Sequence, residues 1–161
     1  SGRTVLDPMC GTGGLPIEAG LAGADTVACD AQQKMVTGTR ENLRACLDAS
    51  DRPTAAQRAG STPTWHVLRG DATALPVDDD VVDGVVFDAP YGRQSKVARH
   101  ELADLVAGAL DESARVASRA VVVADRDWRG LARGAGWVVD ASLDRRVPRS
   151  LTRPVPVFTP G

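Results

Sequence analysis

Short apolar runs alternate with amphipathic stretches along the chain, a pattern typical of parallel β-strands joined by helices. The runs predict five strands, at residues 4–6, 25–29, 65–68, 81–87 and 120–124. Apolar positions at helical spacing predict helices at residues 15–22, 32–49, 102–110 and 128–133. A final antiparallel pair is predicted at residues 136–143 and 155–158. The sequence therefore predicts an α/β fold, a doubly wound Rossmann-like sheet of seven strands, mostly parallel with an antiparallel C-terminal pair.

Two segments interrupt this pattern. Residues 50–63 mix Ser, Thr, Pro, Ala and Gly without periodicity and predict a surface loop. Residues 145–153 hold four arginines and no acid, and Pro148 and Pro154 disfavour a helix there. We expect this second segment to be a loop between the last two strands, and the topology can return it near the carboxyl ends of the central strands.

Length and composition limit the class of protein. The 161 residues suit one domain spanning 1–161, and 43% hydrophobic with 25% charged residues is a globular composition. No apolar run approaches the roughly 18–20 residues of a membrane-spanning helix. The three cysteines are too few and too ill-spaced for a disulfide framework or a zinc ribbon. We therefore expect a monomeric cytoplasmic protein with no membrane segment and no metal.

The charge divides unevenly along the chain. Residues 1–92 carry a net charge of −6, whereas residues 93–161 carry +4. A basic half can face a polyanion such as a nucleic acid. By charge alone, an ordinary mixed surface explains the division equally well.

Acidic residues follow four successive predicted strands. In open α/β sheets, ligands bind beyond the carboxyl ends of the strands. Asp7, Asp30, Asp71 and Asp88 occupy such positions. One carboxylate at a strand end is an ordinary turn residue, but four at four strand ends predict a binding site at this edge.

A glycine-rich turn at residues 7–14 joins the first strand to the first helix, and its glycines would let a ligand approach the backbone. A dinucleotide-binding fingerprint would need a third glycine where Pro16 stands. A phosphate-binding P-loop would need Lys after its last glycine, where Leu15 stands. The turn is therefore suited to a ligand that carries its own cation, which Asp7 would meet.

The next two acids suggest what that ligand is. Asp30 is placed to accept hydrogen bonds from ribose hydroxyls, and Asp71 from an adenine amino group. The 23 residues between Asp7 and Asp30 suit a strand–helix–strand unit. An adenosine bearing a positive centre is S-adenosylmethionine, which is the predicted cofactor.

The segment Asp88-Ala89-Pro90-Tyr91 follows the fourth strand beside that predicted pocket. The exocyclic amine of a nucleobase is a poor nucleophile because its lone pair is delocalised into the ring. A carboxylate and a backbone carbonyl that accept both amine hydrogens would localise the lone pair and stabilise the developing positive charge. The adjacent aromatic ring could stack on the base. The segment thus predicts methylation of an amine.

This motif resembles that of the class I S-adenosylmethionine-dependent methyltransferases that act on amines. In that family it reads Asn or Asp, Pro, Pro, then Tyr, Phe or Trp. Ala89 departs from the pattern, but the family uses the carbonyl of that residue, which any residue provides. The resemblance implies a class I methyltransferase fold and catalytic roles for Asp88, Ala89, Pro90 and Tyr91.

Three elements together are similar to the THUMP-associated tRNA guanosine N2-methyltransferases, in particular the archaeal enzymes acting at tRNA position 10. They are residues 7–14, residues 88–93 and the Arg-Ser-Leu-Thr-Arg sequence of residues 149–153. The similarity covers essentially the whole chain and implies a tRNA partner. That family also carries an N-terminal THUMP region that binds tRNA, so we expect this chain to be a catalytic-domain excerpt of a longer protein.

The resemblance also implies the site residues. Those expected to bind the cofactor are Asp7, Pro8, Cys10, Gly11, Gly13, Asp30, Asp71, Ala72 and Asp88. Those expected to contact tRNA are Arg93, Arg149 and Arg153, since guanidinium groups match phosphate geometry.

Other functions stay open on the sequence. Adenine-N6 or protein-glutamine methylation uses closely similar motifs, and a non-catalytic nucleotide- or RNA-binding module would share the fold. Cytosine C5 methylation would need a nucleophilic Cys where Tyr91 stands. Asp88 and Tyr91 favour an enzyme, because a binding module would have no use for them.

Overall fold

The computed structural model describes residues 2–48, 57, 60, 62–90, 99–147 and 151–161. Within these residues, seven strands form one sheet in the order β3-β2-β1-β4-β5-β7-β6. The strands are β1 (Thr4–Asp7), β2 (Asp25–Asp30), β3 (Trp65–Arg69), β4 (Gly84–Asp88), β5 (Ala120–Val123), β6 (Trp137–Val147) and β7 (Leu151–Pro160). The helices are α1 (Gly14–Ala22), α2 (Gln33–Leu43), α3 (Arg99–Val116) and α4 (Arg129–Gly134).

The strand pairing confirms the predicted fold class. The first five strands are parallel to one another, and β7 pairs antiparallel with both β5 and β6. The strand order switches at β1 and β4, because β2 and β3 lie on one side of this pair and the later strands lie on the other. The carboxyl ends of β1 and β4 therefore border a crevice. The crevice lies where the sequence predicted a binding site.

The central strands bury one face against α3. Leu6 of β1 and Phe87 of β4 are fully buried there, together with Leu102, Val106 and Leu110 of the helix. The predicted helical spacing of those leucines and valines is confirmed. No helix in the described part of the chain is long and apolar enough to cross a membrane.

The second predicted helix, residues 32–49, does not continue as one α-helix. It ends at Leu43, and Arg44–Asp48 form a π-helical turn. Leu43 and Leu47, on either side of this change, are both buried. Leu47 lies so close to α1 that a β-carbon at Gly20 would be 2.6 Å from its Cδ1 atom.

The fourth strand is shorter than the predicted range of 81–87, because it starts at Gly84. Val81 is 50% exposed, and Val82 makes only an isolated bridge. Asp83 fixes the start, since its carboxylate accepts a hydrogen bond from Thr4 N at 2.7 Å and its own N–H donates to Thr4 O. The apolar run thus extends beyond the strand itself.

The prediction of a loop at residues 145–153 is wrong for its described part. Strands β6 and β7 continue through it as a hairpin in which Arg145 pairs with Arg153. Strand β6 therefore ends later than the predicted Leu143, and β7 begins earlier than the predicted Val155. Residues 148–150 lie outside the described residues.

Prolines within β7 explain why the first part of this strand was predicted as a loop. Pro154, Pro156 and Pro160 occupy alternate positions, so their missing N–H groups lie on the same edge of the strand. The ladder with β6 runs the length of β7, whereas that with β5 stops after Val121 and Val157. Such prolines are tolerated in β7 because only its edge toward β6 is paired along the full length. The part of β7 before Val157 extends past the β5 ladder.

Candidate functional site

All four predicted acids border one crevice. Asp7, Asp30 and Asp88 end β1, β2 and β4, which the parallel sheet brings together at one edge. A cavity of about 720 Å³ opens between Asp7 and Asp88. An adjoining cavity of about 480 Å³ reaches Asp30 and Asp71, and Asp88 lines both. The predicted acids thus line adjoining cavities at the strand ends, and their role in binding a ligand stays a prediction.

The glycine-rich turn forms one wall of the crevice. Gly11 and Gly13 adopt positive φ angles of 54° and 89°, which side-chain-bearing residues rarely adopt. A β-carbon at Gly13 would lie 2.9 Å from Thr39 Cγ2, whereas within the described residues no atom lies within 4 Å of one built at Gly11. Gly13 therefore permits close packing on α2, and Gly11 presents bare backbone to the cavity.

Two side chains of helix α2 donate hydrogen bonds to the backbone of this turn. Thr39 Oγ1 donates a hydrogen bond of 2.7 Å to the carbonyl of Gly11, and Asn42 Nδ2 donates one of 2.9 Å to the carbonyl of Thr12. Met35, one helical turn before Thr39, lines both cavities. The sequence reasoning missed these three side chains, although their spacing of i, i+4 and i+7 places them on one helix face.

Asp30 braces the turn from the second strand. Its Oδ2 atom accepts from Gly11 N at 3.0 Å, and its Oδ1 atom accepts from Gln32 N at 2.8 Å. A carboxylate oxygen can accept more than one hydrogen bond. The same group can thus fix the loop and still accept from a ligand; the ribose contact itself stays a prediction.

Asp7 is the buried acid of the site, with 3% of its surface exposed. Burial raises its pKa to about 7, the backbone N–H of Met9 partly opposes this, and the charges of Asp30 and Asp88 raise it further. Met9 N donates to Asp7 Oδ1 at 3.0 Å. A cation entering the cavity would relieve the accumulated negative charge.

Asp71 and Ala72 border the second cavity from the end of β3. Asp71 accepts from Thr73 N at 2.9 Å and Thr73 Oγ1 at 2.8 Å, and these bonds lower its pKa. This turn orients the exposed carboxylate. Its predicted contact with an adenine amino group stays a prediction.

Pro8 and Cys10 also line the crevice, one in each cavity. The backbone N–H of Cys10 donates to Cys29 O at 2.9 Å. Burial raises the pKa of the Cys10 thiol to about 12, so this side chain is neutral. Cys10 therefore contributes shape rather than nucleophilic chemistry.

Asp88 and Pro90 of the predicted catalytic motif line both cavities at the end of β4. The Asp88 carboxylate is 38% exposed. Ala89 is buried, and its N–H donates to Val123 O at 2.8 Å. Tyr91, Arg93 and Arg149 lie outside the described residues.

Arg153 is within the described residues and points back toward the site. Its Nη1 atom lies 3.6 Å from Asp88 Oδ2, and its side chain is only 20% exposed. The expectation that the basic segment returns beside Asp88 is confirmed for this residue. Its predicted contact with tRNA phosphates is not tested by this geometry.

The described residues contain no group of three or more His, Cys, Asp or Glu side chains arranged to hold a metal ion. The acids at the strand ends are instead engaged by backbone N–H groups and by Arg153.

Comparison with known proteins places this site in context. The sequence profile of the RMKL-like methyltransferase domain matches residues 1–152. The chain is 40% identical over 113 residues to a tRNA (guanine(10)-N2)-dimethyltransferase of Methanothermobacter thermautotrophicus, covering 70% of this chain and 29% of that protein. It is 30% identical over 101 residues to the human U6 snRNA (guanine-N(2))-methyltransferase THUMPD2, covering 62% of this chain and 18% of that protein. The matched region thus spans less than a third of each of these two relatives.

The fold is shared with solved structures. An S-adenosylmethionine-dependent methyltransferase from Methanosarcina mazei superposes with a TM-score of 0.74 at 12% identity, covering 99% of this chain and 92% of that one. At this identity the likeness concerns the fold, and it agrees with the strand order and the antiparallel C-terminal pair.

Proposed function

Because the chain belongs to the RMKL-like methyltransferase domain family, we propose that it transfers a methyl group from S-adenosylmethionine to the exocyclic N2 amine of a guanosine in tRNA. Position 10 is the proposed target, as the name of the Methanothermobacter relative suggests. One observation carries the proposal: Asp88 lines both the cavity beside the glycine-rich turn and the cavity beside Asp30. Asp88, the proposed hydrogen-bond acceptor for the substrate amine, therefore lies directly beside the proposed cofactor site.

The residues of the crevice fit S-adenosylmethionine. The positive φ of Gly11 and the open space where its β-carbon would lie leave room for a ligand against the backbone. Asp30 and Asp71 would hold the ribose and the adenine, and the buried Asp7 would face the positive charge. Bound there, the cofactor would supply an electrophilic methyl group.

Asp88 carries the proposed chemistry on the substrate side. Its carboxylate would accept a hydrogen bond from the guanine amine, and the Ala89 carbonyl would accept the second. Two acceptors draw the nitrogen toward tetrahedral geometry and stabilise the positive charge that it gains as the N–C bond forms. The bond from the methyl carbon to the sulfonium sulfur would break as the N–C bond forms, which leaves S-adenosylhomocysteine as the second product. The excess proton would pass from the nitrogen to the Asp88 carboxylate and from there to water. Tyr91 would stack on the base, and Arg93 and Arg149 would hold phosphates.

The test uses unmodified tRNA, the natural full-length protein and cofactor labelled on its methyl group. Mass spectrometry of the digested nucleosides should show N2-methylguanosine or N2,N2-dimethylguanosine. Label in N6-methyladenosine, or in protein glutamine, would instead favour the alternative amine substrates. Cofactor binding by calorimetry without any transfer would support a binding module. A tRNA substrate would also imply a cytoplasmic location.

A further inference from the structure

Arg153 belongs to the β6–β7 hairpin, yet its side chain is largely buried beside Asp88. Its guanidinium faces Asp88 on one side, and its positive charge also helps to lower the pKa of Asp125, after the larger effect of Arg126. It thus lies beside Asp88, the last residue of β4, and is near enough to Asp125, which follows β5, to act on it electrostatically. Only 20% of its side chain is exposed, whereas Arg145, its cross-strand partner, is exposed.

The backbone around Arg153 is constrained in three ways. The residue lies within β7, which β6 pairs along its full length. Pro154 follows it, and a residue before proline is restricted to extended conformations. The β5 ladder involves only Val157 and Phe158 of β7, so Arg153 lies past the carboxyl end of β5 while it is still paired with β6. Such a rigid support is what a residue needs in order to fix a neighbour's position.

We propose that Arg153 is a positioning residue for Asp88: it holds the carboxylate in the orientation in which it accepts the substrate amine. The Nη1–Oδ2 distance of 3.6 Å is that of an ion pair rather than of a short hydrogen bond. The proposal rests on the proposed amine methylation. It assigns Arg153 to the reacting end of the site rather than to the tRNA backbone.

The two roles of Arg153 make opposite predictions. A residue that binds phosphate contributes to tRNA affinity, and its loss reduces the salt dependence of binding by about one contact. A residue that orients Asp88 contributes to the rate at saturating tRNA and cofactor, because small misplacements of a reacting group slow the chemistry by up to about 100-fold. Burial and the ion pair with Asp88 favour the second role.

The experiment compares Arg153→Gln, Arg153→Lys and Arg145→Gln in the natural full-length protein. Arg145→Gln is the matched control, because it removes the same charge from the facing position of the same hairpin. Single-turnover methylation is measured at saturating tRNA and cofactor, together with tRNA affinity at several salt concentrations. We expect Arg153→Gln to slow the single turnover about 10- to 100-fold, Arg153→Lys to restore part of the rate, and Arg145→Gln to keep it.

An unchanged salt dependence of tRNA binding in Arg153→Gln would support the proposal. A wild-type single-turnover rate in that variant, or a loss confined to tRNA affinity, would overturn it. If Arg153→Gln does not fold, Arg153→Lys is measured in its place. A lower rate with unchanged tRNA affinity in this variant supports positioning, whereas a wild-type rate with weakened tRNA affinity contradicts it. Failure of the proposed function is recognised separately, since the wild-type protein would then produce no N2-methylated guanosine.

Discussion

Ala89 and Val123 are joined by a backbone hydrogen bond of 2.8 Å that ties the end of β4 to the end of β5. Ala89 stands where the related amine methyltransferases carry a proline, and a proline has no N–H to donate. The alanine therefore anchors the segment that follows Asp88 by a contact that the family's usual residue cannot make. Because Ala89 is almost fully buried, water cannot replace this bond.

Ala89→Pro should consequently destabilise the protein. The Val123 carbonyl would lose its donor, and a buried unsatisfied group costs about 1–3 kcal/mol. Chemical denaturation measures the change in the free energy of unfolding, and Ala89→Ser, which keeps the N–H, serves as the control. A free energy of unfolding of Ala89→Pro equal to that of the wild type would show that the bond contributes nothing.

The general position of the site was predictable because it follows from topology. Asp7, Asp30 and Asp88 each end a parallel strand, and a doubly wound sheet necessarily brings such ends to one edge. The pairing of Arg153 with Asp88 was not predictable, because it depends on how far β7 extends and on its register with β6. Pro154 indicates a break in a helix or in a central strand, but it is tolerated where one edge of the strand needs no donor.

Asp88→Ala should separate chemistry from cofactor binding. Loss of a group that stabilises developing charge typically lowers the rate about 10²–10³-fold, whereas cofactor affinity should change little. Asp88→Asn keeps a side-chain carbonyl acceptor and should retain more activity than Asp88→Ala. Single-turnover methylation and calorimetry with S-adenosylmethionine provide the two readouts. A parallel loss of both quantities would identify Asp88 as a cofactor residue instead.

Asp7 should make cofactor affinity depend on pH. Its pKa is raised to about 7 in the folded protein, so it ionises as the pH rises through that value. A positively charged ligand favours the ionised form, and affinity should therefore increase from pH 6 to pH 8, across about one unit on each side of that pKa. Calorimetry on the wild type and on Asp7→Asn measures this, and an equally steep increase in Asp7→Asn would exclude Asp7 as its origin.

The same pKa shift predicts a stability effect of the opposite sign in the ligand-free protein. The folded state binds more protons than the unfolded state between the ordinary value of 3.8 and about 7. The free energy of unfolding should therefore decrease as the pH rises across this window. Urea denaturation at several pH values should show this decrease in the wild type and a weaker one in Asp7→Asn.

Asp30 requires a test that separates its predicted contact with the ribose from its hydrogen bonds to the backbone of Gly11 and Gln32. Asp30→Ala should weaken binding of S-adenosylhomocysteine by about 1.5–3 kcal/mol, the range for hydrogen bonds to a charged group. This loss alone is ambiguous, because the same substitution frees the N–H groups of Gly11 and Gln32 that Asp30 holds at 3.0 and 2.8 Å. A collapsed or displaced Gly11 would weaken the ligand without any contact to its ribose.

A double-mutant cycle with the 2′,3′-dideoxy form of the same ligand resolves the ambiguity. If Asp30 accepts from the ribose hydroxyls, the substitution should cost much less with the dideoxy ligand, because the interaction is already absent. If Asp30 acts only by bracing Gly11, the two ligands should lose the same affinity. Calorimetry supplies all four dissociation constants. We expect a clear coupling, because a carboxylate oxygen that accepts one backbone N–H still has a lone pair for a hydroxyl.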